Sequence, residues 1–176
     1  MKSFQALIVL LLLTLIILSA QAQEKAASIS WMSFEDAIEA NAKLKKNKKK
    51  IFVDVYTSWC GWCTRMDQTT FKDSAVTAVM NRYFLPVKLN AERRDTVVFK
   101  EKTYVNANPG GNRSAHQLAI SLLNGRMSYP SFVILNEKEE VIQIIPGYRE
   151  AAEFTKILRY FGEDAYLSKT WEEFSK

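Results

Sequence analysis

Runs of apolar residues alternate along the chain with segments whose apolar residues recur at helical spacing. Residues 51–56 are apolar except for Asp54, a pattern typical of a strand that is buried on both faces. Residues 64–81 follow with helical spacing and contain a break near residues 72–74. This part of the chain therefore predicts a buried strand that leads directly into a helix.

The remaining segments continue the alternation. Further strands are predicted at residues 83–90, 131–135 and 141–145, with a hint of one at 97–99. Further helices are predicted at residues 34–44, 114–123, 151–161 and 164–174. Ser114 is expected to cap its helix, and Pro86 places its strand near a sheet edge. Strands that alternate with helices and end in a hairpin predict an α/β fold, with a central mixed sheet flanked by helices on both faces.

The first 22 residues have the features of a signal peptide. Lys2 precedes an apolar run of about 13 residues, and Ala20–Ala22 fits the small-x-small cleavage rule. That run is shorter than the roughly 20 residues that cross a bilayer. We therefore expect cleavage after residue 22 and export, to the periplasm if the source is Gram-negative. An uncleaved membrane anchor is the less favoured alternative.

Composition fits one soluble domain after the signal. Of the 176 residues 48% are hydrophobic, and the net charge of +5 is too weak to indicate nucleic-acid binding. We expect residues 23–50 to form a helical lead-in, and residues 51–176 to form the main domain with a C-terminal helical extension. The lysines of residues 43–50 predict a solvated helix end, with a docking patch for an acidic partner or anionic lipid as the alternative.

The only two cysteines form the motif Cys60-Gly61-Trp62-Cys63 between the predicted strand and helix. This is the context of a redox-active dithiol. Together with His116, the only histidine, they are too few for a closed zinc site, and Thr64 stands where a c-type haem motif needs histidine. We therefore expect no metal and no cofactor other than the Cys60–Cys63 disulfide itself.

The spacing suggests a role for each reactive group. Cys60 lies at a helix start, where the helix dipole stabilises a thiolate, so it is the predicted nucleophile, and Cys63 is the predicted resolving thiol. Asp54 is a desolvated acid that can exchange a proton with Cys63, although a satisfied strand-end carboxylate is the alternative. Asp67 shares a helix face with Cys63 and is either a second acid or an ordinary surface residue. An inert thiol pair or a static disulfide is the alternative for the motif as a whole.

Aromatic residues and a proline suggest a substrate-binding surface. Trp59, Gly61 and Trp62 surround the predicted nucleophile, and exposed aromatic side chains there favour contact with a partner, although Trp59 fits internal packing equally well. A cis Tyr129–Pro130 bond would leave the backbone there free to pair with an extended substrate. From these residues alone, a trans bond is as well supported as a cis bond.

These residues resemble the thioredoxin superfamily. Residues 53–63 resemble its strand, buried acid and Trp-Cys-Gly-x-Cys signature, and Tyr129–Phe132 resembles its cis-proline loop. Residues 54–60 and 70–76, with Asp67 as the second acid, are most similar to the periplasmic C-terminal domain of the DsbD electron carrier and its stand-alone relatives. The resemblance implies a thioredoxin-like fold and a cis bond at Pro130. Trp62 replaces the proline of ordinary thioredoxins, and residues 91–128 are longer than a minimal thioredoxin needs.

The predicted function is a thiol–disulfide oxidoreductase of the cell envelope. We expect its Cys60–Cys63 dithiol to undergo exchange with the disulfides of exported proteins, so that the protein acts as a reductant. An upstream electron donor, membrane-bound or soluble, would then reduce the Cys60–Cys63 disulfide again. A disulfide oxidase or isomerase, a non-catalytic thioredoxin-like binding module and thiol-based peroxide removal are the alternatives. We expect a monomer that binds no nucleic acid.

Overall fold

The computed structural model describes residues 28–44, 46–111 and 114–176. The predicted signal peptide, residues 1–22, lies outside these ranges, as does the beginning of the predicted lead-in. Within the ranges described, no helix combines the length and the apolar character that crossing a bilayer requires.

Helices and strands follow one another in the predicted α/β order. The helices are α1 Phe34–Lys43, α2 Gly61–Gln68, α3 Ser74–Tyr83, α4 Gln117–Leu122, α5 Ala151–Gly162 and α6 Trp171–Ser175. Short 3-10 turns occupy Thr70–Lys72 and Ala165–Leu167. The strands are β1 Lys50–Tyr56, β2 Phe84–Asn90, β3 Val97–Phe99, β4 Lys102–Tyr104, β5 Ser131–Leu135 and β6 Val141–Pro146.

A four-stranded mixed sheet in the order β2-β1-β5-β6 forms the centre of the fold. β1 pairs in parallel with β2 and antiparallel with β5, and β5 pairs antiparallel with β6. In the β1–β2 register Asp54 lies directly beside Lys88. β2 is an edge strand, as Pro86 predicts. Part of its outer edge is covered by Met32, whose N–H donates to the Pro86 carbonyl at 3.0 Å and whose carbonyl accepts from Lys88 N–H at 3.2 Å.

Both faces of the sheet are buried, because β1 sends alternate side chains into two cores. Ile51, Val53 and Val55 enter one core with α1, α4 and the β3–β4 hairpin. Phe52 enters the other with α2, α3 and α5, where its ring lies 5.6 Å from Phe132 and 5.8 Å from Phe154. Asp54 is two residues from Phe52 and so belongs to this second, aromatic face.

The predicted helix of residues 64–81 is divided where its break was expected. α2 ends at Gln68, and α3 begins after Asp73, whose carboxylate accepts the N–H groups of Ala75 and Val76. The predicted cap of the next helix is wrong. His116, not Ser114, caps α4, because its Nδ1 accepts the Leu118 N–H at 3.2 Å, while its own N–H is held by the Ala91 carbonyl at 2.7 Å.

Lys50 does not belong to the solvated lysine run in which the sequence placed it. It is the first residue of β1 and only 3% exposed. Its ammonium lies 2.7 Å from Glu137 in the β5–β6 turn and 2.7 Å from Asp164 after α5. The prediction fails for this residue because its partners are distant in sequence. Lys43, Lys46 and Lys48 are exposed, as expected.

Candidate active site

Cys60 and Cys63 form a disulfide at the first turn of α2. The chain leaves the sheet at the end of β1 and turns at residues 57–59, where Cys60 N–H donates to the Thr57 carbonyl at 3.2 Å. Cys60 is the N-cap residue, and its Sγ lies 3.1 Å from the Cys63 N–H. A helix N-terminus offers unpaired amide groups and positive potential, which stabilise a thiolate on Cys60 once the disulfide opens.

The two cysteines are almost equally buried, with 6% of Cys60 and 4% of Cys63 exposed. Burial therefore does not distinguish the two cysteines in this disulfide form. Gly61 between them is exposed, and a side chain there would meet no atom within 4 Å. The approach to the disulfide thus passes over an open glycine.

A lysine joins the two acids that the sequence singled out. The Lys88 ammonium lies 2.6 Å from Asp54 Oδ2 and also contacts Asp67 Oδ1. Asp54 is 1% exposed, whereas the Asp67 side chain is about half-exposed at 46%. Asp54 Oδ1 has no hydrogen-bond partner among the residues described. The buried acid is therefore linked through Lys88 to an acid at the surface.

Aromatic rings complete the surroundings of the Lys88 ammonium. Its nitrogen lies 4.9 Å from the ring centre of Trp31, 5.1 Å from that of Phe71 and 5.2 Å from that of Tyr56. Such contacts favour a cation. A cavity of about 450 Å³, lined in part by Trp31, Asp67, Phe71 and Lys88, opens beside the ammonium.

Burial shifts the proton affinities of this group. It raises the pKa of Asp54 to about 6, although the positive charge of Lys88 works in the opposite direction. Burial alone would lower the pKa of Lys88, but the carboxylates of Asp54 and Asp67 raise it above its usual value. A carboxyl with a pKa near 6 can accept and return a proton near neutral pH.

Trp59 is held on the surface beside the motif. It is 66% exposed, and its indole N–H donates to both carboxylate oxygens of Glu92 at 3.1 Å. Its ring meets that of Tyr129 edge to face at 5.7 Å. The alternative of internal packing is therefore wrong for Trp59, because the side chain is exposed and oriented by its neighbours.

A second aromatic pair lies on the C-terminal side of the nucleophile position. Trp62 is 59% exposed and packs against Tyr148 with ring centres 5.2 Å apart. The Thr69 hydroxyl and the Arg65 guanidinium lower the pKa of the Tyr148 hydroxyl. Trp59 with Tyr129 and Trp62 with Tyr148 thus form two aromatic pairs near the cysteines, each with an exposed tryptophan on a half-buried tyrosine.

The Tyr129–Pro130 peptide bond is cis. The Pro130 carbonyl accepts the Gly147 N–H at 2.8 Å, and Ser131 Oγ donates to the Ser128 carbonyl at 2.7 Å. These bonds fix the loop on both sides of Tyr129. The Tyr129 backbone itself makes no hydrogen bond to the backbone of another described residue.

Sequence reasoning missed Lys88, Glu92 and Tyr148. A signal existed only for Lys88, since a lysine in an otherwise apolar strand needs a partner, but the parallel register that places it beside Asp54 is not readable locally. His116 caps α4 and its Nε2 lies 3.0 Å from the Asp95 carbonyl, so its contacts are structural. Across residues 28–44, 46–111 and 114–176, no three His, Cys, Asp or Glu side chains cluster as metal ligands would.

Comparison with known sequences identifies relatives. The family model Thioredox_DsbH, described as "Protein of unknown function, DUF255", matches residues 19–143. The uncharacterized protein B0495.5 of Caenorhabditis elegans is 35% identical over 72 residues, which are 41% of this chain and 10% of that protein. The chain thus spans about a tenth of the length of the curated relatives it matches.

Comparison with solved structures confirms the predicted thioredoxin-like fold. A thioredoxin from Thermus thermophilus is similar, with a TM-score of 0.54 and 19% identity over 76% of this chain and 87% of that one. A structure titled "DsbH Oxidoreductase" has a TM-score of 0.52 and 18% identity over 81% of this chain and 88% of that one. At such identities the likeness extends to the fold alone.

Proposed function

Since the chain belongs to the Thioredox_DsbH family of thioredoxin-fold proteins, we propose that it is a thiol–disulfide oxidoreductase that reduces exported proteins. The observation that carries this proposal is the position of Cys60 Sγ at the first turn of α2, 3.1 Å from the Cys63 N–H. This position lowers the cost of an ionised sulfur, and the thiolate is the species that attacks disulfides.

In the reduced protein, Cys60 is the nucleophile. Its thiolate attacks one sulfur of a substrate disulfide, which forms a mixed disulfide and releases the other substrate sulfur as a thiolate. The exposed rings of Trp59 and Trp62 and the open surface at Gly61 receive the substrate segment. The unpaired backbone of Tyr129 is available to hold that segment in an extended conformation.

Cys63 then completes the exchange. Its thiolate attacks the Cys60 sulfur, closes the internal disulfide and releases the second substrate thiolate, so two electrons pass from the protein to the substrate. We assign Asp54 as the base that accepts the Cys63 proton, because its pKa near 6 suits proton transfer at neutral pH. Lys88 and Asp67 are positioning residues that set the charge around Asp54.

We propose that the protein acts in the cell envelope, in the periplasm if the source is Gram-negative. The predicted signal peptide supports this location. Each turnover leaves the protein oxidised, so a dithiol electron donor must reduce the Cys60–Cys63 disulfide again. The protein acts as a monomer, binds no nucleic acid, and needs no cofactor beyond its own disulfide.

Insulin reduction tests the activity. The reduced protein is expected to cleave insulin disulfides, Cys60→Ser to lose that activity, and Cys63→Ser to accumulate a mixed disulfide with insulin that mass spectrometry detects. The Cys63→Ser variant is the matched control, because it removes the same atom from the other end of the motif. Full activity in Cys60→Ser would overturn the proposal.

The direction of electron flow needs a separate measurement. Equilibration of the Cys60–Cys63 pair with glutathione buffers gives its reduction potential, and a reductant is expected to fall in the range of thioredoxin, about −270 mV. A value well above about −200 mV would identify an oxidase or isomerase instead. Disulfide exchange that is absent with every substrate would favour the binding module.

A further inference from the structure

Three arginines surround the candidate active site, and we refer to Arg65, Arg94 and Arg126 as the arginine rim. Arg65 follows Cys63 on α2 and approaches Tyr148, which packs on Trp62. Arg94 lines a cavity of about 330 Å³ together with Ser58, which precedes Trp59 by one residue. Arg65 and Arg94 therefore lie on opposite sides of the cysteine motif.

Arg126 extends the rim to the proline loop. It lines a cavity of about 370 Å³ with Ser128, Ser131 and Pro146, next to the fixed Pro130 carbonyl. The three guanidinium groups come from α2, from the segment after β2 and from the loop before β5, so they approach the site from different elements. All three side chains are exposed.

The rim guanidinium groups are always positively charged, and no salt bridge to a described residue offsets that charge. Arg93, in contrast, is paired with Glu35 and Asp95, and Arg149 with Glu153. Two acids adjoin the motif: Asp67 contacts the Lys88 ammonium, and Glu92 accepts the Trp59 indole N–H and lines the same cavity as Arg94 without pairing with it.

The charge at the far end of the sheet is mixed. β5 runs away from Pro130 and ends in a turn that contains Glu137, Glu139 and Glu140 together with Lys138, and the exposed Lys46 and Lys48 precede β1 at the same end. The positive field that matters for the proposal is therefore the local one of the exposed rim arginines. Such a field attracts oppositely charged partners and raises association rates, more strongly at low salt.

Resting on the proposed function, we propose that the arginine rim selects substrate segments that carry acidic side chains next to their reactive cystine. The chemical class of the substrate is an acidic, disulfide-bearing protein segment. Acidic side chains on either side of the cystine meet Arg94 and Arg126 in their cavities and Arg65 beside Tyr148. The aromatic pairs contribute apolar contact that does not depend on this charge.

Three cystine peptides test the proposal. They are identical except that glutamate, lysine or glutamine occupies the positions next to the cystine, and the rate constant for reduction by the protein is measured for each. At about 0.01 M salt the glutamate peptide is expected to react about tenfold faster than the lysine peptide. At about 1 M salt, where charges act over only about 3 Å, the difference should disappear.

Charge-reversal variants locate the effect. Arg94→Glu/Arg126→Glu is expected to slow the glutamate peptide and accelerate the lysine peptide, a reversal that a general effect on Cys60 reactivity cannot produce. Lys46→Glu/Lys48→Glu carries the same change in net charge before β1, at its opposite end from the motif, and is expected to keep the glutamate preference.

The outcomes separate the two proposals. Equal rates for the glutamate and lysine peptides at low salt, or equal loss of preference in both double variants, would overturn the selection of acidic segments and leave the oxidoreductase activity intact. Failure to reduce any of the three peptides, the uncharged one included, would instead overturn the proposed function.

Discussion

Two lysines lie towards opposite ends of the central sheet, Lys50 buried and Lys88 partly buried, and each bridges two acids. Lys50 bridges Glu137 and Asp164 at the start of β1, and Lys88 bridges Asp54 and Asp67 near the disulfide. The partners differ in their contact with solvent. The two acids of Lys50 have side chains that are 42% and 51% exposed, whereas Asp54 at the other site is 1% exposed.

Because of that difference, the Lys50 group has only a structural role, whereas the Asp54–Lys88 group can take part in proton transfer. An acid that keeps its water gains little from a lysine, so the Lys50 group only ties β1 to a turn and to the end of α5. Burial of Asp54 removes its water and brings its pKa to about 6. In this protein the two lysine groups therefore differ in that only the Lys88 group contains a desolvated acid.

The rate of insulin reduction is expected to show the largest difference between the Lys88 group and the Lys50 group. Asp54→Asn is expected to slow reduction of insulin about 10²-fold or more, because it removes the proposed proton acceptor. Asp164→Asn makes the same change at the Lys50 group, at a residue with a positive φ of 59° that asparagine tolerates, and should leave the rate unchanged. Stopped-flow kinetics measures the reduction rate of both variants. Equal rates would show that the Lys88 group and the Lys50 group do not differ in their contribution to the reaction.

A shift in proton affinity sharpens the comparison further. Lys88→Met removes the positive charge beside Asp54, so the pKa of Asp54 should rise above about 6 by a further 1 to 3 units. Titration of the Asp54 carboxyl carbon by NMR measures this shift, and Lys50→Met is the matched control that should leave it in place. A midpoint that stays near 6 in Lys88→Met would show that the two lysines are equivalent.

The pH dependence of stability provides a third, smaller effect in the oxidised protein. Because the pKa of Asp54 is raised from 3.8 to about 6 in the folded state, folding takes up a proton between these values. The free energy of unfolding should therefore fall by about 2 kcal/mol as pH rises from 4 to 6.

Urea unfolding at several pH values tests this contribution. Asp54→Asn should lose the decrease and be more stable than the parent above pH 6, while Asp164→Asn should retain it. A decrease of the same size in Asp54→Asn would assign the pH dependence to another group.

The Lys50 group should give the smallest effect. Lys50→Met leaves behind two half-exposed carboxylates that regain water, so the expected loss in the free energy of unfolding is about 1 kcal/mol, with no change in insulin reduction. A loss of more than about 3 kcal/mol, the range for breaking a buried ion pair, would show that this group is as desolvated as the other.

Local patterns predicted most of the fold. β1, the cysteine motif, the divided helix after it and the β5–β6 hairpin are all readable because each depends on neighbours in sequence. Asp54 was also readable, since a single carboxylate in an apolar strand is conspicuous.

Properties that depend on distant pairing were not readable. Lys88 acquires its role from the parallel register of β2 with β1, and Lys50 from a turn and a helix end far along the chain. The His116 cap depends on the Ala91 carbonyl, which fixes where α4 begins. In each case the local sequence specifies the side chain, and the tertiary fold supplies its partner.

The two edge strands of the central sheet, β2 and β6, are unequally protected from pairing with another chain. The backbone of Met32 forms hydrogen bonds with both neighbours of Val87 and so covers part of the outer edge of β2. β6 is the other edge strand, where Val141 is 45% exposed and Gln143 is also exposed. The unpaired N–H and C=O groups of an edge strand can form hydrogen bonds with a strand of another chain. Aggregation of this protein at high concentration should therefore begin at β6, and a lysine in place of Val141 is the substitution that should delay it.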